Sequence, residues 1–399
     1  MTIHTYRTIP ESLAVLKNEQ LAQSLYDEGG VIMEGTLLTL HGEAHRTRRR
    51  LEMRVFRRSF FRYYETEVFP RALAELLGPT VSSGACDLVD FGYRITINLT
   101  ADFAGVDRPT RSAGETAELL ELVRTFSEGA TLVHSTRDKD EVRDEVRAAL
   151  QRFESGFLRH SVERRLALIE RHAQGELAEE DLPRDVLTVL LRNEDQLELP
   201  PDLLCREIAF FLQAGSHSTA NSMVHAMHNV FEWMRQRPED RERLLTDPLF
   251  VQRCVHESFR LHPASPVAWR KPVCPMHLGD GTQLDINDRV ELDLYTANRS
   301  SDVFGADAEV FNPYRTIAPG HEPFGLTFGT GVHTCLGRDL DGGFVPRGSV
   351  DPATHQYGIV AQLVRALLQA GATPDPAQPP VRASYTARPN WGSYPVVFL

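Results

Sequence analysis

Long apolar runs are missing from this chain. No stretch approaches the roughly 20 consecutive apolar residues that a helix needs to span a bilayer. The N-terminal segment, MTIHTYRTIPESLAVL, also lacks the basic region followed by an apolar core that marks a secretory signal. The sequence therefore predicts a cytoplasmic protein that has no membrane partner.

Cysteine and positive charge are both scarce. The five cysteines stand at positions 86, 205, 254, 274 and 335, without the paired spacing of zinc sites or disulfide frameworks, so we expect reduced thiols. Lysine and arginine number 43 against 55 aspartates and glutamates, which gives a net charge of −12. This balance argues against a protein that binds nucleic acid over a broad surface.

Linkers and nucleotide-binding turns are absent as well. No glycine-rich phosphate-binding turn follows a predicted strand, which argues against a flavin or nicotinamide domain. The content of 42% hydrophobic and 25% charged residues is typical of a globular protein with a large core. No linker divides the 399 residues, so we expect one domain.

The most informative stretch that is present is FGTGVHTCLG, residues 328–337. It sets Cys335 in a glycine-rich loop ahead of a predicted helix, with His333 two residues before it. A metal, a nearby cation or a helix N-terminus can hold such a cysteine as thiolate at neutral pH. Glycines leave room where the backbone turns tightly and where a flat cofactor would lie against it. A buried free cysteine in a turn is the alternative, but the longer pattern argues against it.

The same stretch resembles the haem-binding loop of the cytochrome P450 family. The resemblance rests on five residues in fixed register: Phe328, Gly331, His333, Cys335 and Gly337. It implies that Cys335 is the axial thiolate of a haem b iron, a ligand that favours O–O cleavage. It also implies that His333 reaches a haem propionate and that the phenylalanine and the two glycines form part of the cofactor site.

The resemblance also implies a fold. We expect a mainly α protein with a small β portion, forming a single cytochrome P450 domain over residues 1–399. Compared with the family's usual pattern, the N-terminal part is shorter and an insertion at about 341–355 follows the haem loop. That insertion would lie on the proximal face, beside the thiolate, where Arg338 and Arg347 could form a basic patch for an electron donor.

Three further cations are candidates for the haem propionates. His45 and Arg49 lie four residues apart in a predicted helix, so they share one face and can converge on one pair of anionic groups. The resemblance assigns both to the propionates. It assigns Arg270, in a predicted strand beside the haem, to the same role. A solvated helix face and a surface arginine are the alternatives, and a nucleic-acid patch is a further reading of the arginine-rich helix.

Residues 205–237 predict the longest helix, and the sequence AGSHST weakens its middle. This segment resembles the family's oxygen-binding helix. Gly215 would give oxygen room, and Ser218, followed by Thr219, would keep a hydroxyl where the family has its proton-delivering threonine. His217 replaces the family's acid. It is open whether His217 relays protons, contacts substrate or marks altered chemistry, whereas direct ligation of the iron is disfavoured. We interpret His225 and His228, nearby, as structural.

Other segments are predicted to support the site. Glu257 and Arg260 share a helix face, and by the resemblance they form a buried network with Arg315 that holds the haem loop. Residues 10–30 predict a short helix, residues 279–281 the turn of a hairpin, and SYPVVFL the last strand.

The function that follows from the resemblance is that of a haem-thiolate monooxygenase. It would insert one oxygen atom from O₂ into a small to medium hydrophobic organic substrate, in biosynthesis, including secondary metabolism, or in catabolism. A ferredoxin and its reductase would supply electrons. One alternative is atypical haem-thiolate chemistry, namely peroxide-driven oxidation, oxidative coupling or nitrogen-centred bond formation, because His217 and Ser218 replace the acid and threonine. The other is a non-catalytic haem sensor. The sequence leaves the substrate open.

Overall fold

The computed structural model describes residues 1–399, and most of them are helical. The helices are α1 (Ile9–Leu16), α2 (Gly30–Met33), α3 (Gly42–Glu52), α4 (Arg58–Tyr63), α5 (Phe69–Ser82), α6 (Leu88–Ala104), α7 (Ala113–Ala130), α8 (Lys139–Phe153), α9 (Arg159–Ala173), α10 (Val186–Leu191), α11 (Pro201–Gln236), α12 (Arg241–Thr246), α13 (Pro248–Leu261), α14 (Leu294–Ala297), α15 (Ser301–Phe304), α16 (Arg338–Asp341) and α17 (Ile359–Gln369). None of them combines the length and the apolar character required to cross a bilayer.

The strands are short and form a minor part of the protein. They are β1 (Ile3–Tyr6), β2 (Leu21–Gln23), β3 (Ala85–Asp87), β4 (Val267–Pro272), β5 (Met276–His277), β6 (Gln283–Leu284), β7 (Arg289–Asp293), β8 (Ala372–Pro374), β9 (Val381–Arg382), β10 (Trp391–Ser393) and β11 (Pro395–Phe398). The largest sheet has the order β1-β7-β4-β2, in which only β1 and β7 are parallel. The others are β3-β11-β8 and the pairs β5-β6 and β9-β10. The expected fold class, mainly α in one domain with a small β portion, is confirmed.

The centre of the fold is α11, a helix of 36 residues. At 1.5 Å per residue it is roughly 54 Å long, enough to cross the whole domain. It packs against α6, α7, α13 and α17 and is buried over most of its length. The sequence AGSHST lies inside it, and the helix continues through these residues without interruption. Tertiary packing therefore overrides the weak helix propensity of this segment.

The N-terminal prediction was only half right. Helix α1 ends at Leu16, and Leu21–Gln23 forms β2 instead of continuing the predicted helix to residue 30. The reason is distant in sequence, since β2 pairs with residues 270–272 of β4. Backbone pairing to an existing sheet edge satisfies its N–H and C=O groups. By contrast, the hairpin β5-β6 around residues 279–281 and the last strand β11 are confirmed.

Helix α13 has stabilising residues at its start. The carboxylate of Asp247 accepts hydrogen bonds from the backbone N–H groups of Leu249 and Phe250 at 3.0 and 3.1 Å, and Pro248 occupies the first position. These are the stabilising features of a helix N-terminus. The helix ends just before Pro263 and presents one carboxylate and one guanidinium, of Glu257 and Arg260, on its buried face.

The segment between α16 and α17 is irregular but firmly attached. The side-chain amide of Gln252 donates to the carbonyls of Gly342 and Tyr357, at 3.1 and 3.0 Å. The Glu65 carboxylate accepts from the backbone N–H of Tyr357 at 2.7 Å. Helix α16 is a single turn, and no regular helix follows it until Ile359. That residues of about 341–355 are an insertion relative to the family stays a prediction.

Candidate active site

The loop that carries Cys335 has the shape its glycines predict. The backbone N–H of Cys335 donates to the carbonyl of Phe328 at 2.9 Å and closes the loop. Gly331 has φ of +74°, and a Cβ there would lie 2.6 Å from the Leu16 carbonyl oxygen, so only glycine fits. The Phe328 ring packs edge-on against Phe259 of α13, with 5.2 Å between ring centroids. This contact attaches the loop to the helix behind it.

The Cys335 side chain is accessible, although protein surrounds the loop that carries it. Burial raises its pKa to about 11, and the nearby carboxylate of Asp341 raises it further, whereas the Gly337 backbone N–H and the guanidinium of Arg49 oppose the rise. A bound metal cation would hold this sulfur as thiolate. Cys205 and Cys254 differ from Cys335 in being buried, and burial raises the pKa of both thiols.

A cluster of nitrogen groups faces the loop. The ring centroids of His45 and His333 are 4.3 Å apart, and Nη2 of Arg49 donates to the Thr334 carbonyl at 2.5 Å. Both Nε2 atoms of the two histidines are buried without a hydrogen-bond partner. Burial lowers the pKa of His45 to about 4, with Arg49 lowering it further, and burial together with His45 lowers that of His333 to about 3.

Arg270 extends this cluster from β4. Its side chain is 3% exposed, and Nη1 donates to Gln23 Oε1 at 2.8 Å. Burial lowers its pKa to about 10. Neither Arg270 nor Arg49 forms a salt bridge with a carboxylate of the chain. A buried cation normally has an anionic partner, so this set of groups fits a ligand that carries carboxylates, such as a haem with its two propionates.

The oxygen-helix residues lie on different faces of α11. Ser218 Oγ donates to the Ala214 carbonyl at 2.6 Å. Thr219 Oγ1 lies 2.9 Å from both carboxylate oxygens of Asp341, which joins α11 to the segment after Cys335. Gly215 faces α6, where an added Cβ would lie 2.5 Å from Cγ2 of Thr100. Helix packing therefore accounts for this glycine, and its predicted role in making room for oxygen stays a prediction.

Both ring nitrogens of His217 have hydrogen-bond partners. Its Nδ1 lies 2.5 Å from the Tyr93 hydroxyl, and Nη2 of Arg388 donates to its Nε2 at 2.8 Å. A guanidinium only donates hydrogen bonds, so Nε2 accepts and the proton of the neutral ring is on Nδ1. Burial, followed by the charge of Arg388, sets the pKa of His217 well below its usual value. Neither ring nitrogen is free to bind iron, and the proton relay stays a prediction.

Sequence reasoning missed three residues of this region: Tyr93, Asp341 and Arg388. Tyr93 lies in an apolar helix that carries no motif. Arg388 lies in a polar turn between β9 and β10, and nothing in its neighbourhood marks it. Asp341 could have been noticed, because it is an acid in the predicted helix that directly follows Cys335.

The contacts that the resemblance implied behind the loop are present. Arg260 is fully buried and forms two 2.7 Å hydrogen bonds with the Glu257 carboxylate, and Arg315 Nε reaches the same carboxylate at 3.0 Å. Of the other predicted features, His225 stacks on His262 with 4.4 Å between centroids, as a structural residue would. Arg338 pairs with Asp339 at 2.8 Å and Arg347 lies 3.8 Å from Glu322, so neighbouring acids offset the expected basic patch.

Solved structures share this architecture. CalO2 superposes with a TM-score of 0.75 at 19% identity, covering 99% of this chain and 90% of that one. HmtT, involved in himastatin biosynthesis, gives a TM-score of 0.74 at 20% identity over 98% of this chain and 91% of its own. At these identities the likeness concerns the fold.

Curated relatives share shorter segments. The alkane hydroxylase MAH1 of Arabidopsis thaliana is 33% identical over 108 residues, 26% of this chain and 21% of that protein. Human cytochrome P450 4B1 is 28% identical over 176 residues, 39% of this chain and 34% of that protein. This chain thus spans between about a fifth and a third of these relatives' length. The cytochrome P450 family model matches residues 35–340, most of the chain. With this match, the shared fold and the geometry around Cys335, the chain belongs to the cytochrome P450 family.

Proposed function

We propose that this protein is a haem-thiolate monooxygenase that inserts one oxygen atom from O₂ into a small to medium hydrophobic organic molecule, in biosynthesis or catabolism. A ferredoxin and a ferredoxin reductase would supply the electrons. Membership of the family implies a haem-iron cofactor, and we propose that it is haem b held by Cys335. The observation that carries the proposal is the group of side chains beside the Cys335 loop: the buried Arg270 and the half-buried Arg49, which have no carboxylate partner, and the unpartnered Nε2 atoms of His45 and His333.

Each group of that set has a defined task in the proposal. The Cys335 sulfur would bind the iron, and His45, Arg49, Arg270 and His333 would bind the two propionates. When bound, a haem iron with a thiolate ligand supplies the activation of dioxygen. Burial is the main cause of the low histidine pKa values, and negative propionates would oppose it because a nearby negative charge favours the protonated ring. The two unpartnered Nε2 atoms are available to donate to such groups.

The chain's own residues would then position a proton and hold the loop. The Ser218 hydroxyl, fixed on the Ala214 carbonyl, is the group on α11 that can pass a proton toward the cofactor side. Thr219 and Asp341 form the adjacent polar pair. The Glu257, Arg260 and Arg315 contacts hold the segment before Cys335 and would help to keep the sulfur in position for the iron. The names of the relatives, an alkane hydroxylase and a fungal cytochrome P450 monooxygenase, support oxidation of an organic substrate.

The first experiment tests the ligand. Purified protein is loaded with haem, reduced and exposed to carbon monoxide, and the absorption band is recorded. We expect the red-shifted band of a thiolate-ligated iron in the native protein and in Cys274→Ser, whose cysteine is exposed and far from the loop in sequence. We expect its loss in Cys335→Ser. A band that survives Cys335→Ser contradicts the assignment of the ligand.

The second experiment tests the reaction. The holoenzyme is incubated with candidate substrates and either NAD(P)H, ferredoxin and reductase, or hydrogen peroxide. Oxygenated product that depends on the redox partners supports a monooxygenase. Product that forms only with peroxide supports the atypical haem-thiolate chemistry instead. Absence of product with both, together with no substrate-induced shift of the haem band, supports a haem sensor.

A further inference from the structure

Arg388 is a buried cation with an incomplete set of partners. Its side chain is 8% exposed and lies in the turn between β9 and β10. Nη2 donates to His217 Nε2 at 2.8 Å and to Thr131 Oγ1 at 3.0 Å, and Nη1 donates to the Ala264 carbonyl at 3.3 Å. Nε is buried and has no partner at all. A guanidinium has five N–H donors, so two of them, on Nε and Nη1, remain free.

No carboxylate of the chain compensates this charge. All three partners of the Arg388 guanidinium are neutral groups, and no aspartate or glutamate lies within salt-bridge distance. Burial lowers the pKa of Arg388, and the three tyrosines Tyr93, Tyr385 and Tyr26 oppose this shift. Removing an arginine from water without an anionic partner is costly. The other deeply buried arginines away from the proposed haem cluster are paired: Arg48 with Glu207, Arg165 with Asp185, and Arg260 with Glu257.

A cavity of about 20 Å³ lies beside Arg388. Most of its lining is polar, and it includes His217, Ser218, Asn221 and Asn390. A cavity of this size admits a water molecule or a small polar group of a larger ligand. Because Ser218 lines it as well, the cavity opens on the same face of α11 as the proposed oxygen chemistry.

We propose that Arg388 binds the carboxylate of the substrate, so that the enzyme acts on organic acids. This inference rests on the proposed function and names the substrate class for the same site. The guanidinium has no anionic partner in the chain, and its free N–H groups on Nε and Nη1 can each donate a charge-assisted hydrogen bond to a carboxylate oxygen. Bonds of this kind are strong in a buried setting. The small cavity favours a planar carboxylate over a tetrahedral phosphate. His217 acts as a positioning residue, since it orients the guanidinium by accepting from Nη2.

The test compares matched pairs of compounds on the holoenzyme. Hydrocinnamate, indole acetate and dodecanoate are each titrated against the corresponding primary amide, which keeps the shape and removes the charge. Binding is followed by the shift of the haem band and, independently, by thermal stabilisation of the protein. We expect at least one acid to bind tenfold or more tightly than its amide. Absence of any preference for the acids across the panel overturns the proposal without the need for a variant.

Variants then assign the preference to one side chain. Arg388→Gln should abolish the preference for the acid, and Arg388→Lys should retain part of it. Arg382→Gln removes the same charge from an exposed position of the same hairpin and should leave the preference unchanged. A preference that survives Arg388→Gln overturns the proposal. A third outcome assigns Arg388 to a propionate instead. In it, Arg388→Gln and Arg388→Lys both lose haem, and the native protein binds acids no better than amides.

The outcomes separate this inference from the proposed function. If the carbon monoxide band is normal and partner-dependent product forms but acids show no preference, only the substrate class is wrong. If the band is absent, the proposal of a monooxygenase is wrong. The thermal shift with acids and amides then still reports whether Arg388 binds a carboxylate.

Discussion

Arg388 donates a hydrogen bond to His217, with 2.8 Å between Nη2 and Nε2, although the two residues are 171 positions apart in the chain. The contact fixes the neutral tautomer of the histidine and joins the C-terminal hairpin to the middle of α11. A residue that replaces the family's acid thus has a structural partner of its own, and this contact determines what its substitution should do.

His217→Leu should destabilise the protein by about 1–3 kcal/mol, because it removes one of the two hydrogen-bond partners of Arg388 Nη2 and the His217 partner of the Tyr93 hydroxyl. Urea unfolding of the holoenzyme measures this. His160→Leu, at an exposed position of α9, is the control and should change the free energy of unfolding by less than about 0.5 kcal/mol. Equal stability of His217→Leu and the native protein would contradict the hydrogen-bond assignment.

His217→Asp should weaken the binding of organic acids, since its carboxylate would pair with Arg388 and compete with that of the substrate. We expect a loss of tenfold or more in affinity for the acid that binds best to the native protein, and little change for its amide. The haem-band titration measures both. If His217 instead relays protons, acid affinity is unaffected and the fraction of electrons recovered in product stays equal or rises.

Gly215→Ala should destabilise the protein by about 1–3 kcal/mol, because the new methyl group overlaps Cγ2 of Thr100 at 2.5 Å. Gly78→Ala is the control: it lies in α5 with nothing within 4 Å of an added Cβ, so it should stabilise by up to about 1 kcal/mol. Thr100→Ser removes the overlapping methyl and should relieve most of the cost in the double variant. A cost that persists there would point to another role for the glycine, such as the room for oxygen predicted from sequence.

The sequence allowed the Cys335 loop and the cation set to be predicted because their signals are local. The fixed spacing of the motif residues in 328–337 and the four-residue spacing of His45 and Arg49 can be read without knowledge of the fold. The helix α13 was also predictable, since Asp247 and Pro248 are adjacent to its start. Each of these features depends on residues a few positions apart.

The rest depended on contacts between distant residues. Leu21–Gln23 became a strand only because β4, some 250 positions later, offers it hydrogen bonds. The reason for Gly215 is a methyl group on α6, and the partner of His217 is an arginine near the C-terminus. No periodicity or propensity along the chain records such pairs, so a departure from a family motif could be noticed from sequence but not explained.

Arg48→Met should destabilise the protein by roughly 3–5 kcal/mol. Nη1 of Arg48 lies 2.7 Å from Oε2 of the fully buried Glu207, beside Glu52, whose two carboxylate oxygens have no partner. Without the arginine, two buried carboxyl groups remain side by side. Adding Glu207→Gln and Glu52→Gln should restore most of the loss, as urea unfolding would show. Arg71→Met, at an exposed position of α5, is the control and should have little effect.

Asp341→Asn should change the pH dependence of stability. Burial raises the pKa of the Asp341 carboxyl from 3.8 to about 7, with the Thr219 hydroxyl opposing the shift. Between pH 4 and pH 7 the folded protein therefore holds a proton that the unfolded chain releases, so this group's contribution to stability is fully present below pH 4 and is lost as the pH rises through about 7. An asparagine has no proton to lose. Relative to native, the variant should be more stable at pH 8 by on the order of 2–4 kcal/mol and gain nothing at pH 4.

Urea unfolding of the native protein and the variant at pH 4, 6 and 8 measures this difference. Asp195→Asn, at an exposed position, should give the same small change at every pH. The comparison is informative because Asp341 also raises the pKa of the Cys335 thiol. A gain for Asp341→Asn that is equal at pH 4 and pH 8 would contradict the raised pKa, because it would mean that the carboxyl group titrates in the folded protein as it does in the unfolded chain.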